Sequence, residues 1–522
     1  MEKIQIRVRL QTLKYLKKYK APSPKRRTHH TNSSNTTFVS STSADPNFKE
    51  LLRLIDWPEP PSPVTHYNLS TSPGHCDYHL LNARDTYRIG ETLEVLITAR
   101  DHHGRPKEYG GDYFRAKLHS PALKAGVTGH VKDHGNGSYL ATFLLPWPGR
   151  AEVQIRLIHS SEAVAVLKKK RENHPGKLYF YGYFQLNDSS EVTECNLVLP
   201  GRDVCKYQDP ASGNTWQCVR PQKLPCESRV YHGTTLFRNV TSQLEDALLS
   251  GPVTDRIISG NVSPIKVLSA SSSLGLAANL SACRPDQKST QPSGFYYRDN
   301  WRSLTCLARQ FQPSDALACL KGKDIYMIGD STLRQWLEYL KDFIPSLMGI
   351  DLHVNTYTGP LLAVDAEAGL AIRWRFHGLP VRARKTLLSN IHYETTELAG
   401  IGGGPDTVVM LNLWAHFTTF PVRFYIQRLG RLRQAVASLL SRSPQTNVII
   451  KSANTGPKTI YISDWLSLQL DTLMRATFKG MAVTILDVWD MTSCHYLPDD
   501  MHPGPEVIRN EVDLMLSYVC PQ

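Results

Sequence analysis

The chain has 522 residues, 41% hydrophobic and 20% charged, a composition that indicates a globular protein without a disordered bulk. Its length predicts two or three domains. The formal net charge is +13, but residues 1–30 carry +9 of it (ten Lys/Arg against the single acid Glu2), so the other 492 residues carry only +4. Because this charge is confined to one end and no zinc-finger or RNA-binding motif accompanies it, nucleic-acid binding is disfavoured.

Residues 1–65 are predicted to form a basic, Ser/Thr/Pro-rich tail or stalk. No apolar stretch is long enough for a membrane span, and the N-terminus lacks the core of a signal peptide. A mitochondrial presequence would leave the cysteines and sequons described below without a purpose. We therefore expect the natural start of the protein, with its signal or signal-anchor, to be missing from this sequence.

Residues 66–180 are predicted to form an Ig-like β-sandwich. Short strand-like runs separated by turn signals are typical of this architecture. The runs are 92–98, 114–118, 139–145 and 151–158. The pattern leaves open whether this part is a spacer or binds a ligand.

The ten cysteines predict disulfides, and half of them fall in residues 181–300, which we interpret as a loop-rich connector. They are Cys76, Cys195, Cys205, Cys218, Cys226, Cys283, Cys306, Cys319, Cys494 and Cys520. Their pairing cannot be read from the sequence. His130 and His134 have a zinc-like spacing, but no C-x2-C pair accompanies them, so we expect no metal.

Eight Asn-x-Ser/Thr sequons all lie before residue 282, which predicts a glycosylated N-terminal part in an oxidising compartment. They are Asn32, Asn35, Asn68, Asn136, Asn187, Asn239, Asn261 and Asn279. The secretory-pathway lumen (Golgi) or the extracellular space is the expected location.

Residues 301–522 alternate apolar strands with amphipathic helices, a pattern that predicts an α/β domain with a parallel sheet. The expected strands are 325–328, 407–413, 447–451 and 482–486, and the expected helices are 332–343, 422–441, 463–478 and 505–519. Active sites in such domains lie at the carboxyl ends of the strands.

Ser331 follows the first strand at the start of a helix, where a serine hydroxyl is a candidate nucleophile. Asp499 and His502 lie three residues apart on the loop before the last helix, so His502 is the candidate base and Asp499 the acid that orients it. Asp487 and Asp490 are alternative partners for His502.

Acyl transfer also needs hydrogen-bond donors for the oxyanion. Asn412 ends the second strand and offers a side-chain amide, and Gly378 offers a backbone N–H without a side chain in the way. An Asn at such a position also commonly caps a turn.

Three phrases in this chain resemble the neurexophilin and PC-esterase domain family. They are YGGDYFRAKLHSP (109–121), GDSTLRQWLEYL (329–340) and HYLPDDMHPG (495–504). The resemblance covers about residues 75–522 and implies a C-terminal SGNH/GDSL-like esterase fold. It carries over Ser331, Asp499 and His502, whereas Gly378 and Asn412 are placed by analogy with the second and third SGNH sequence blocks. The Gly-x-Asn-Asp usual in the third block is absent here.

The resemblance implies an O-acyl (O-acetyl) transferase or esterase that acts on glycans of secreted or cell-surface glycoconjugates. A glycan or glycoprotein would be the acceptor, no cofactor would be held permanently, and acetyl-CoA is one candidate for the unknown acyl donor. The alternative is a secreted, non-catalytic binding glycoprotein with an inert esterase fold. In either case a cell-surface receptor could bind the β-sandwich.

Overall fold

A computed structural model of the protein describes residues 46–269, 280–285 and 287–521. Residues Asn47–Gln522 form one compact unit. Most of the predicted tail, residues 1–45, lies outside the described ranges. Across the described ranges, no helix is both long enough and apolar enough to cross a membrane.

The N-terminal part is a curled, mainly antiparallel sheet that follows helix α1 (Pro46–Leu54). Its first seven strands include the four predicted ones: β1 (Asp77–Leu80), β2 (Tyr87–Arg88), β3 (Thr92–Thr98), β4 (Tyr113–Ser120), β5 (Ala125–Asp133), β6 (Ser138–Leu144) and β7 (Gly149–His159). Val95, Val127 and Phe143 belong to its buried apolar core. Residues 125–129 of β5 pair with β4, whereas 130–133 pair with β6. The strands therefore form one continuous sheet that bends at β5 and encloses its own apolar core. The finer Ig-like assignment stays a prediction.

A second antiparallel sheet occupies much of the region predicted to be a loop-rich connector. It follows helix α2 (Ser161–Asn173), and its strands are β8 (Leu178–Leu186), β9 (Ser189–Asn196), β10 (Val204–Gln208), β11 (Thr215–Val219) and β12 (Arg229–Phe237). They run in the order β10–β11–β9–β8–β12. A disulfide between Cys195 and Cys218 joins β9 to β11, and another links Cys205 to Cys226.

Four short strands further along the chain return to the curled sheet. After helix α3 (Gln243–Leu248) they are β13 (Arg256–Ile257), β14 (Ile265–Leu268), β15 (Gly294–Tyr297) and β16 (Asn300–Ser303). Strands β13 and β14 pair with β7, and β15 pairs with β5. The predicted connector thus supplies part of the first sheet as well as most of the second.

The C-terminal part contains the predicted parallel sheet. Its strands are β17 (Asp324–Ile328), β18 (Met348–Ile350), β19 (Leu361–Asp365), β20 (Leu370–Arg375), β22 (Thr407–Leu411), β23 (Asn447–Lys451) and β26 (Thr484–Leu486). Three short strands of this region lie outside the sheet. Strand β21 (Thr386–Leu387) pairs with β12 of the second sheet, and β24 (Lys458–Thr459) pairs with β25 (Ile462–Ser463). The order across the sheet is β18–β19–β20–β17–β22–β23–β26, with all pairs from β20 to β26 parallel. Counted along the chain, the parallel strands stand in the order 2-1-3-4-5.

Seven helices accompany this sheet. They are α4 (Pro313–Leu320), α5 (Ser331–Phe343), α6 (Glu394–Gly400), α7 (Val422–Arg442), α8 (Asp464–Phe478), α9 (Trp489–Cys494) and α10 (Pro505–Val519). In sheets of this order, ligands bind where the strand order reverses, at the carboxyl ends of the first and third strands. Those two strands are β17 and β22.

Eight of the ten cysteines form disulfides, which confirms that prediction. Besides the two in the second sheet, Cys283 pairs with Cys306 and Cys319 with Cys520. Cys76 and Cys494 are buried free thiols. Four disulfides are consistent with a secreted or lumenal protein.

Five predicted glycosylation sites fall within the described residues, and each asparagine is exposed: Asn68, Asn136, Asn187, Asn239 and Asn261. In two of these sequons the asparagine Oδ1 accepts a hydrogen bond from the hydroxyl of the third residue, Ser138 or Thr241. Asn32, Asn35 and Asn279 lie outside the described residues. Glycosylation remains a prediction that this exposure permits.

Candidate active site

Ser331 is the first residue of α5 and lies three residues after Ile328, the last residue of β17. Asp330 caps the helix, because its Oδ1 accepts hydrogen bonds from the backbone N–H (2.9 Å) and hydroxyl (2.7 Å) of Thr332. Gly329 has no room for a side chain, since a Cβ there would lie 2.8 Å from the carbonyl oxygen of Asn412. This tight turn presents the Ser331 hydroxyl at the positive end of a helix.

His502 lies on the loop between α9 and α10, and its Nε2 is 2.8 Å from Oγ of Ser331. The Asn454 amide donates to the carbonyl of Met501 (2.9 Å), which holds the loop beside the end of β23. Gly456 also packs on this loop, because a Cβ there would lie 2.4 Å from the backbone nitrogen of Met501. The sequence prediction that Ser331 and His502 meet at one edge of the sheet corresponds to this geometry.

The surroundings of His502 favour the neutral imidazole. Displacement of water lowers the pKa of His502, an effect that the carboxylates of Asp330 and Asp500 oppose. A neutral imidazole can accept the Ser331 proton, which is the property a general base requires.

The Asp499 carboxylate contacts two basic side chains and not His502. Its Oδ2 accepts from Nη1 of Arg115 and from Nζ of Lys458, each at 2.8 Å. Burial opposes ionisation, but the two cations outweigh it and hold the pKa of Asp499 well below its ordinary value. Among the described residues, no hydrogen bond joins Asp499 to His502. The orienting role of Asp499 therefore stays a prediction that the arrangement does not display.

The two alternative acids are also engaged elsewhere. Asp487 forms an ion pair with Arg475 at 3.0 Å, and Asp490 accepts from the backbone N–H and hydroxyl of Ser293. Burial raises the pKa of Asp490 to about 6. Both aspartates line a cavity of about 840 Å³ whose walls do not include Ser331 or His502.

Asn412 is fully buried at the end of β22, next to the turn that carries Ser331. With its amide nitrogen facing Asp330, Asn412 donates to both carboxylate oxygens at 2.9 Å, and its oxygen accepts from Nε1 of Trp414 at 3.2 Å. This side chain braces Asp330, the cap of α5. Its role as an oxyanion donor stays a prediction, and in this conformation its amide protons are directed to Asp330.

Gly378 follows β20, the parallel neighbour of β17, so it lies at the same edge of the sheet. A Cβ there would approach the ring of Tyr393 to 2.2 Å. The close approach of this ring explains why a residue without a side chain occupies position 378, whether or not it has a catalytic role. Donation by the Gly378 N–H to an oxyanion stays a prediction.

Sequence reasoning did not single out Lys451, a buried cation at the end of β23. Its Nζ lies 3.5 Å from Oγ1 of Thr332, the residue after the candidate nucleophile. Burial lowers the pKa of Lys451, while the carboxylates of Glu511 and Asp330 raise it. The sequence gives no indication that this lysine is buried, because a lysine at the end of a strand is usually exposed.

Comparison with protein families divides the described chain into two matched parts. Residues 54–249 match the family described as "Neurexophilin", and residues 301–520 match "NXPE family member 4-like, C-terminal domain". The chain is thus a sheet-rich protein with a neurexophilin domain followed by an NXPE C-terminal domain. It belongs to the NXPE family, as its sequence phrases suggested.

Proposed function

We propose that the protein is an O-acyl (O-acetyl) transferase or esterase acting on glycans of secreted or cell-surface glycoconjugates. The observation that carries the proposal is the 2.8 Å separation between Ser331 Oγ and His502 Nε2 at the start of α5. A serine and a neutral histidine at this distance are the minimum for serine acyl transfer.

The reaction would begin when Ser331 Oγ attacks the acyl carbonyl and His502 Nε2 takes its proton. The backbone N–H of Ser331 would be the donor for the negative charge that develops on the carbonyl oxygen, since the N–H of Thr332 already donates to Asp330. His502 would return the proton to the leaving group, which leaves an acyl-serine. A sugar hydroxyl or water, deprotonated by His502, would then attack the acyl-serine. His502 would return this proton to Ser331 Oγ as the ester bond to the serine breaks.

Three features support an SGNH-like assignment of the C-terminal domain. The parallel strands stand in the order 2-1-3-4-5, the candidate serine follows the first of them, and the candidate histidine precedes the last helix. The disulfides are consistent with a secretory compartment, where a glycan acceptor is at hand. Acetyl-CoA is one candidate donor, and the Golgi lumen is one candidate location.

The decisive experiment is labelling with a fluorophosphonate probe, which reacts with activated serines. Wild-type protein should be labelled, and Ser331→Ala and His502→Ala should not be. Ser346→Ala, which removes an exposed serine of the same domain, is the matched control and should label normally. Release of acetate from p-nitrophenyl acetate and from an O-acetylated glycan should follow the same pattern. Labelling that survives Ser331→Ala would refute the proposal.

The second candidate function is a non-catalytic binding glycoprotein. Two observations favour it: Asp499 is bound by cations instead of by His502, and the Asn412 amide is occupied by Asp330. Esterase folds can persist as scaffolds after catalysis is lost. Wild-type protein that neither labels nor turns over an acetyl ester, yet binds a cell-surface receptor through residues 54–249, would establish this function.

A further inference from the structure

Four charged side chains form a compact cluster where the curled sheet meets the C-terminal domain. Arg115 and Lys458 are its cations, and Asp464 and Asp499 its anions. Oδ2 of Asp464 lies 2.5 Å from Arg115 Nη1 and 3.1 Å from Lys458 Nζ, and Oδ2 of Asp499 lies 2.8 Å from each of the same atoms. Each side chain is at most 17% exposed. The cluster is electrically balanced and largely removed from water.

The four residues come from three separate segments. Arg115 lies on β4 within the neurexophilin match, and Lys458 and Asp464 lie on β24 and at the start of α8. Asp499 lies on the loop that carries His502. The cluster is therefore a direct electrostatic link from the neurexophilin domain to the loop that carries the candidate base.

Strand β4 also contacts the residues that precede Asp499 in the chain, at two further points. Nη2 of Arg115 donates to the carbonyl of Ser493 at 3.1 Å, and Nζ of Lys117 donates to the carbonyl of His495 at 2.7 Å. On neighbouring β5, Gly126 lies so close to this segment that a Cβ there would be 2.0 Å from the carbonyl oxygen of Cys494. Residues 493–499 are thus docked on one face of strands β4 and β5 of the neurexophilin domain.

We propose that Arg115 is a positioning residue for His502: by binding Asp499, the neurexophilin domain sets the distance between the His502 imidazole and the Ser331 hydroxyl. This inference rests on the proposed function and deepens it, because it makes the first domain part of the catalytic arrangement. It also gives Asp499 a role that acts through the loop and needs no contact with the imidazole.

The physical argument is the difference in rigidity between the two partners. Ser331 begins a 13-residue helix that is capped by Asp330, so its hydroxyl is fixed by the sheet domain alone. His502 stands on a loop without regular structure between α9 and α10, so its position depends on the side chains that hold the loop. Removing Arg115 would leave two carboxylates facing Lys458 alone, and an unbalanced buried charge drives rearrangement.

The test compares Arg115→Met with Arg171→Met in the full chain. Arg171 is the matched control because it is another buried arginine of the neurexophilin match that contacts the C-terminal domain. Its Nη1 donates to Gln469 at 2.7 Å, and among the described residues it forms no hydrogen bond with residues 495–504. Two readouts are needed: the rate of Ser331 labelling by the fluorophosphonate, and hydrogen–deuterium exchange of residues 495–504.

We expect Arg115→Met to slow labelling by about 10- to 100-fold, as a misplacement near 1 Å does. With p-nitrophenyl acetate the loss should fall on kcat with KM little changed. Exchange of residues 495–504 should accelerate, Arg115→Lys should recover part of both losses, and Arg171→Met should leave both near wild type. If Arg115→Met does not fold, Asp499→Asn, which keeps the size of the side chain, replaces it with the same expectations.

The two hypotheses fail in different ways. Labelling that persists in Ser331→Ala refutes the proposed function, and the exchange measurement then decides the positioning role alone. Unchanged exchange of residues 495–504 in Arg115→Met would overturn the inference, as would equal effects of Arg115→Met and Arg171→Met on labelling and exchange.

Discussion

Ser331 and His502 are 171 residues apart in the sequence and lie at hydrogen-bonding distance in the fold. They meet because strand β17 ends at the edge of the sheet along which the loop before α10 lies. The local chemistry beneath Ser331 is a chain of polar contacts. Asn412 braces Asp330, and Asp330 caps α5. A single buried carboxylate thus fixes the start of the helix, which in turn fixes the candidate nucleophile.

At this scale the first prediction concerns pH. A general base must be neutral, and the pKa of His502 is lowered because the protein displaces water around it. The rate of Ser331 labelling should therefore rise with pH, with a midpoint below the ordinary histidine value of about 6.5, and reach a plateau near neutrality. Fluorophosphonate labelling measured between acidic and neutral pH provides the profile.

His502→Gln is the control, since without the imidazole labelling should stay at background at every pH. A midpoint clearly above the ordinary histidine value would contradict the prediction. It would indicate that a carboxylate stabilises the imidazolium, and that Asp499 turns toward His502 in solution.

At the scale of elements, α10 determines where the His502 loop ends. The helix begins three residues after His502, and its Glu511 accepts a hydrogen bond from Nε1 of Trp336 on α5 at 2.7 Å. Its last turn leads to Cys520, which is bonded to Cys319 at the end of α4. Helix α10, which follows the candidate base, is therefore hydrogen-bonded to α5, which begins with the candidate nucleophile, and linked by a disulfide to α4.

The second prediction follows from the length of the loop that this disulfide closes. Cys319 and Cys520 are separated by 201 residues, and in the chain-entropy description such a cross-link stabilises the fold by about 5 kcal/mol. Cys319→Ser/Cys520→Ser should lower the free energy of unfolding by about that amount, as measured by denaturant titration.

The double variant Cys205→Ser/Cys226→Ser provides the comparison, because its disulfide closes a loop of only 21 residues. The same description gives about 3 kcal/mol for that loop. An equal or larger loss from the shorter loop would show that native contacts, and not the entropy of the unfolded chain, dominate these disulfides.

At the scale of the whole molecule, the neurexophilin and C-terminal domains meet through ionised groups. Asp499 stays ionised at this junction, because Arg115 and Lys458 hold its pKa far below the ordinary value. A carboxyl group whose pKa is lower in the folded state stabilises the fold above its unfolded pKa. It loses that contribution as the pH falls toward the folded value.

The third prediction is that Asp499→Asn costs about 3 kcal/mol of unfolding free energy at neutral pH, as expected when one partner of a buried ion pair is removed. The difference from wild type should shrink between about pH 5 and pH 2, because the unfolded wild-type chain takes up a proton at Asp499 in this range whereas the folded protein resists protonation. Denaturant unfolding at several pH values measures it.

Asp203→Asn is the matched control, since Asp203 pairs with Arg220 on the surface, where the two side chains are 73% and 49% exposed. Such exposed pairs contribute about 0–1 kcal/mol, so this variant should differ little from wild type at any pH. A cost of Asp499→Asn that is constant with pH would show that the loss comes from packing instead of charge.

Sequence patterns predicted the elements that bury a face or a stripe. Helices α5, α7, α8 and α10 begin and end within one residue of the predicted bounds, and strand β3 coincides with its prediction. The second sheet was not anticipated, because its strands mix polar and aromatic residues and are held partly by disulfides. Cysteine positions alone do not give the pairing that would have revealed it.

The sequence by itself determined the alternation of strands and helices in the C-terminal domain, the candidate pair Ser331 and His502, the presence of disulfides and the family. These follow from local periodicity and from short motifs, which a linear chain displays. Only the tertiary structure decided that Asp499 binds Arg115 and Lys458 instead of His502, and that Asn412 faces Asp330. The partner of a buried charge is set by which distant segments the fold brings together, and Arg115 is 384 residues away from Asp499 in the sequence.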